Sequence, residues 1–186
     1  WEGTVACRLG IAPFAAHQGK CYPEEDIKRV LELLGMVPGL RVYLFGGGPG
    51  ETEVLNSWES AYKHCRSVAG TMTLSEELSV ISNLDLMLSM DSGNGHLAAM
   101  YGVPVITVWG ITHPYAGFAP FLQPEENSIT ADREEFPWIP TSVYGNKVPP
   151  GYEGVMRTIP PRRIYSRILE VLKKNGFIVP DSGTLT

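Results

Sequence analysis

The chain is short of the residues that make metal, disulfide or nucleic-acid proteins. Its three cysteines, Cys7, Cys21 and Cys65, stand far apart, an odd number without a C-x-x-C pair. That favours reduced thiols in a cytosolic protein over a disulfide framework or a zinc site. Positive charge is in the minority: 15 Lys and Arg against 20 Asp and Glu give a net charge of −5. A nucleic-acid surface would show the opposite, so no nucleic-acid partner is expected. The one basic cluster, Arg162, Arg163, Arg167, Lys173 and Lys174, fits a solvated helix face, with membrane contact the lesser reading. No apolar run reaches the length of a membrane span, and no signal peptide is visible. G-x-G-x-x-G, the P-loop, G-x-S-x-G, D-x-D, HxxxH and HExxH are all missing. Dinucleotide and P-loop fingerprints, serine hydrolysis and a metal centre are therefore not expected.

What is there is enough for one core. The 186 residues are 44% hydrophobic, which fits a single domain over 1–186. The chain begins at Trp1 and enters a strand within a few residues, so a piece of something longer is expected. Residues 5–14 read as a strand. Pro23 opens a helix with three acids in its first turn and Ile27, Val30, Leu31, Leu34 and Val37 on one face. A strand over 39–45 runs into the glycine-rich 46–50, a helix follows over 51–65, and 68–69 is a short strand. Thr73 and Glu76 have capping-box spacing for a helix to about Asn83. After the stretch 85–110 the pattern loosens: a loop over 111–123, a possible edge strand at 127–131, and an irregular 132–158 in which no chemistry is visible. A last helix covers 162–175, and the tail 180–186 is expected to fray. Alternating β and α elements predict a parallel sheet with helices on both faces.

The chain is organised around 85–110, DLMLSMDSGNGHLAAMYGVPVITVWG. It reads as strand, tight turn, short helix and strand, with Asp91 or Ser92 able to cap the helix and Gly93 allowing a close backbone approach. Such a helix start, at the carboxyl end of a parallel strand, turns free N–H groups into the crevice where these sheets bind ligands. Lys20, in the first strand-to-helix loop, could meet a phosphate from the same crevice, although a lone loop lysine is usually just solvated. Glu51 could take ribose hydroxyls, or simply be an acid at a helix start. His96 is a ligand candidate or a hydrogen-bonded packing histidine. Lys20 rather than His96 is the expected cation, since a histidine one turn inside a helix start sits in a positive field.

Taken together, Asp91-Ser92-Gly93-x-x-His96-Leu97-Ala98-Ala99, Gly102-Val103-Pro104-Val105 and Trp109-Gly110-Ile111-Thr112-x-Pro114 resemble the signature of the ADP-heptose:lipopolysaccharide heptosyltransferases, glycosyltransferase family nine. Lys20-x-Tyr22-Pro23, Phe45-Gly46-Gly47, Pro49-Gly50-Glu51 and Ala69-Gly70 with Leu74 add to it, so that the resemblance spans about Gly10 to Phe121. Tyr22 stands where the family usually has tryptophan, and Ala15-Ala16 where hydroxyl residues often help bind phosphate.

The resemblance implies a Rossmann-like domain, the C-terminal, donor-binding half of a GT-B glycosyltransferase. Carried over residue by residue, Lys20 and the Ser92 and Gly93 backbone would contact the diphosphate. Glu51 would hold the ribose, Met72 would lie by the adenine, and Asp91 and His96 would line the sugar–phosphate site. The resemblance implies inverting, metal-independent transfer without a cofactor. The catalytic base would lie on an N-terminal domain absent here, so that no catalytic residue is expected in this chain, which alone should bind but not catalyse. The donor would be ADP-heptose or similar, and the acceptor a glycolipid reached through that other domain. Lipopolysaccharide core synthesis, a cytoplasmic location and peripheral contact with the inner face of the cytoplasmic membrane are implied as well. Two other readings stay open: a nucleotide-sugar epimerase of the same fold, and a non-catalytic nucleotide-binding module. The UDP-N-acetylglucosamine 2-epimerases also place Asp-Ser-Gly before a helix, but usually continue with a second glycine and a glutamate, where this chain has Asn94-Gly95-His96.

Overall fold

The structure, a computed structural model, describes residues 5–180. Six strands form one sheet: β1 (Cys7–Ala12), β2 (Leu40–Leu44), β3 (Cys65–Ser67), β4 (Leu86–Met90), β5 (Val105–Trp109) and β6 (Ser128–Thr130). Their order is β3-β2-β1-β4-β5-β6 and every pairing is parallel. The helices are α1 (Glu24–Leu34), α2 (Pro49–Ala61), α3 (Leu74–Ile81), α4 (Gly93–Met100) and α5 (Pro161–Lys174). The fold is thus the expected Rossmann-like α/β class. The last residues of the expected frayed tail, from Asp181, lie outside the described residues.

Parallel strands need crossovers, and right-handed crossovers decide which face each helix covers. The chain steps outward from β1 to β3, then crosses back beside β1 and steps outward again to β6. One apolar cluster joins Leu9, Ile11, Leu86, Leu88, Ile106 and Val108 of the strands to Ile27 and Leu31 of α1 and Ile164 and Ile168 of α5. The other joins Ala12, Met87 and Val105 to Ile81 of α3 and Ala98 and Ala99 of α4. The central strands β4 and β5 are buried throughout, as expected of a sheet covered on both sides. Gly95 lets α4 lie close to β4: a Cβ there would stand 2.4 Å from Ser89 Oγ.

Most expected boundaries move by one or two residues, and two move further. The helix placed over 51–65 ends at Ala61, and the strand placed at 68–69 lies at Cys65–Ser67. The Cys65 N–H donates to the Tyr62 carbonyl at 2.9 Å, a turn that breaks the helix early and starts the strand early. The alternation of buried Cys65, exposed Arg66 and buried Ser67 marks the strand. The other departure concerns 132–158, which packs on the core despite lacking periodicity. Its Ile139, Tyr152, Val155 and Met156 are buried, and Trp138 stacks on Tyr152 with ring centroids 5.7 Å apart. The thiols of Cys7 and Cys65 are free, and burial pushes each up to about 12.

Two outcomes follow from this packing. Leu88→Ala, in the fully buried middle of β4, should lower the unfolding free energy by about 2–5 kcal/mol in urea titrations. At the start of α3, the Thr73 N–H and hydroxyl donate to Glu76 Oε2 at 2.7 and 2.8 Å, holding that carboxyl below its ordinary value of 4.5. A depressed folded pKa means stability that is present above 4.5 and lost as pH falls through the lower folded value. The advantage of wild type over Glu76→Gln should therefore shrink as pH falls below 4.5 and vanish once pH is under the lower folded value, as read in thermal melts.

Candidate functional site

Strand order fixes where a ligand can go. The order reverses between β1 and β4, and in an open parallel sheet the crevice beyond the carboxyl ends of those two strands is the place for a ligand. Lys20 follows β1, Asp91, Ser92 and Gly93 follow β4, and Glu51 follows β2. All five sit at that end of the sheet.

The loop after β1 is pinned before it reaches Lys20. Cys21 Sγ lies 3.6 Å from the carbonyls of Ala15 and His17, and burial raises its thiol above the ordinary value. Residues 18–20 form a single 3-10 turn. The Gly19 carbonyl accepts the Ile111 N–H at 3.2 Å, and a Cβ on Gly110 would stand 2.4 Å from that same oxygen. Glycine at 110 is what allows the loops after β1 and β5 to touch. Tyr22, in the tryptophan position of the resemblance, is buried and donates its hydroxyl to the Ile159 carbonyl.

That approach puts the Lys20 ammonium 2.8 Å from Asp91 Oδ2, with the two side chains only 13% and 5% exposed. The Thr112 hydroxyl donates to the same oxygen at 3.0 Å. Asp91 therefore does not cap α4. Ser92 holds the N-cap position but makes no side-chain cap bond, and its buried hydroxyl has no partner among the described residues. The Asp91 carboxylate is instead engaged, through Oδ2, by two donors from other loops. Among the described residues no side chain caps the first N–H groups of α4.

Beside this lies a cleft of about 300 Å³, lined by the Phe14-Ala15-Ala16 loop, Gly46, Gly47, Glu51, Ser92, Gly93, Asn94 and Leu97 among others. Glu51 Oε2 accepts the Gly47 N–H at 2.7 Å, which holds the glycine turn and fixes the carboxylate at the cleft wall. Nothing stands within 4 Å of a Cβ built on Gly93, and its backbone is outside the left-handed region. A side chain at 93 would therefore project into the open cleft without straining the turn.

Of the residues singled out in the sequence, Glu51, Ser92 and Gly93 line this cleft, while Lys20 and Asp91 form their ion pair at the same end of the sheet, off the cleft lining. Met72 is 38% exposed on the loop after β3 and does not line this cleft. His96 is half-buried one turn into α4, also off the lining. Thr112 was read only as part of a motif; its hydroxyl bond to Asp91 gave no sign in the sequence. The same holds for Phe14 and Leu97, apolar walls that look like any core residue. Among the described residues no group of three His, Cys, Asp or Glu could hold a metal ion, and no helix is long and apolar enough to cross a membrane.

Fold and site define a Rossmann-like α/β domain whose ligand crevice lies at the sheet's switch point. The family model of glycosyltransferase family 9 (heptosyltransferase) matches residues 6–140, and the chain belongs to that family. Over 111 residues it is 30% identical to lipooligosaccharide heptosyltransferase 2 of Haemophilus influenzae, a match covering 57% of this chain and 32% of that protein. Its fold is similar to that of E. coli heptosyltransferase WaaC with ADP, at TM-score 0.67 and 20% identity over 91% of this chain and 46% of that one. E. coli ADP-heptose lps heptosyltransferase II gives 0.71 and 21% over 94% and 49%. The present chain shares with these heptosyltransferases a Rossmann-like α/β fold. It spans about a third of the curated relative and just under half of these solved chains.

The buried pair supplies a test of its own. Removing one partner of such a pair leaves an uncompensated charge, at a cost of about 3–5 kcal/mol, whereas replacing both with apolar groups costs less. Lys20→Met/Asp91→Leu should be more stable than Lys20→Met alone in urea unfolding at neutral pH. Strictly additive losses would mean that the two charges do not interact.

Proposed function

We propose that this chain is the C-terminal, donor-binding half of an inverting heptosyltransferase that takes ADP-heptose or a close relative. The observation that carries the reading is the set of positive and N–H groups at the switch point, within a chain of this family. An ammonium on Lys20 and the bare helix start at Ser92-Gly93 meet around Asp91. A diphosphate is the ligand that such a pairing suits, because amides can wrap its oxygens and a cation can offset its charge.

The remaining groups fit the rest of a nucleotide sugar. Glu51 Oε1 is free to accept from ribose hydroxyls while Oε2 stays on Gly47. Exposed Met72, on the loop one strand further out, offers an apolar thioether for a purine. Asp91 Oδ1, not used by Lys20 or Thr112, is left for the transferred sugar, and His96, off the cleft lining, is assigned there by the family resemblance alone. Two structures of similar fold, WaaC with ADP and the dodecameric TibC with ADP-D-beta-D-heptose, are complexes with such ligands, which supports the donor class.

Inverting transfer requires a base to deprotonate the acceptor hydroxyl and positive groups to stabilise the leaving diphosphate. Lys20 and α4 answer the second need without a metal ion. The base belongs to the N-terminal domain that would precede this one, together with the glycolipid acceptor of lipopolysaccharide core synthesis. This half alone binds donor and does not turn it over, and the whole enzyme works in the cytoplasm at the inner face of the membrane.

Calorimetry on this chain tests the reading. ADP should bind more tightly than UDP or GDP, and Lys20→Ala should weaken ADP by about 1.5–3 kcal/mol, as for a hydrogen bond to a charged group. Gly93→Val should fold normally and lose ADP altogether, since its side chain fills the space the phosphate needs. Unchanged ADP affinity in folded Gly93→Val would remove the phosphate site. Equal affinity for all three nucleotides would leave that site standing and remove the adenine assignment.

A further inference from the structure

The segment 132–158 has no motif, yet its middle stands against the candidate site. Thr141 donates its N–H to the Ile111 carbonyl at 2.9 Å and its hydroxyl to the Lys147 carbonyl at 2.7 Å, closing 141–147 into a compact turn beside the loop after β5. Ser142 Oγ accepts the Gly145 N–H at 2.9 Å within it. At the turn's inner side Gly145 has φ +75°, and a Cβ there would stand 2.5 Å from Lys20 Cδ, 2.6 Å from Cγ and 3.1 Å from Thr112 Cγ2. The Gly145 backbone thus lies on the lysine stem, while Asp91 Oδ2, itself bonded by Thr112, holds the ammonium.

We infer that Thr112 and the 141–147 turn, through Gly145, are positioning elements that hold Lys20 ready for the diphosphate. The inference rests on the reading of this crevice as a nucleotide-sugar site. A free lysine is among the most rotamer-rich side chains, and ordering it on binding subtracts from what its ion pair contributes. Here the ordering is done in advance. Gly145 closes off the space on one side of the stem, and Asp91 fixes the far end. Thr112 matters because a carboxylate held by a second donor cannot simply follow the ammonium when a phosphate arrives. It keeps Asp91 in place as the ammonium's alternative partner.

A purely structural brace would look similar in stability measurements but would not discriminate between ligands. The discriminating measurement is the affinity for ADP set against that for adenosine, which shares the base and ribose but lacks the phosphates. Titrations would use the chain itself, Thr112→Val, Thr112→Ser and Gly145→Ala. Thr112→Val keeps the shape and loses the donor, so ADP should bind about five- to tenfold more weakly, the range for one hydrogen bond, with adenosine unchanged. Thr112→Ser should restore most of the ADP affinity. Gly145→Ala should lose at least as much for ADP, because its methyl must push the Lys20 stem aside; if it does not fold, the Thr112 pair still decides.

The outcomes separate cleanly. If the unmodified chain binds ADP no more tightly than adenosine, the phosphate site itself is wrong and the positioning role falls with it. If ADP is preferred but Thr112→Val binds it as tightly as the unmodified chain, only the positioning role is overturned. Parallel losses for ADP and adenosine, or no recovery in Thr112→Ser, overturn it as well, because they mark a general structural defect.

Discussion

One carboxylate oxygen holds this crevice together. Asp91 Oδ2, at the end of β4, accepts from the Lys20 ammonium at 2.8 Å and from the Thr112 hydroxyl at 3.0 Å. Those groups come from the loops after β1 and β5, the two strands that flank β4. A charged acceptor this deeply buried requires donors, and the loops must come to it to provide them. The Gly19 and Gly110 backbones touch for that reason, and the turn at 141–147 closes over the lysine stem.

Once the carboxylate is occupied in this way, the start of α4 is left uncapped. The buried Ser92 hydroxyl has no partner among the described residues, and Gly93 opens onto the cleft. An ordinary surface helix would have satisfied these groups with its own cap. Leaving them free beside a fixed ammonium is a loss for folding, which the proposed anion site would offset.

Sheet topology supplies the rest. Strands alternating with helices give a parallel sheet, and the reversal of order between β1 and β4 separates the helices that begin on either side. The crevice between them is a consequence of connection handedness, and residues far apart in the chain, Lys20, Glu51 and Asp91, meet there because their strands end at one edge. Family membership through residues 6–140 and the close fold match to two heptosyltransferases agree with that architecture.

Much of this was legible along the chain. Helical spacing of Ile27, Val30, Leu31 and Leu34, the Thr73–Glu76 capping box and the apolar runs flanking 91–104 all carry local physical signals, and those elements stand where the sequence put them. The Asp91-Ser92-Gly93 turn carries a local signal of the same kind, whereas Lys20, a lone loop lysine, is singled out chiefly by the family resemblance. What no local pattern carries is who meets whom. The engagement of Asp91 with Lys20 and Thr112 instead of its own helix was decided only by tertiary packing. So was the placement of Gly145 on a lysine 125 positions away in the chain. Hydrogen-bonding partners of a buried charge are chosen by competition among groups brought together in space, and sequence neighbours hold no privilege in that competition.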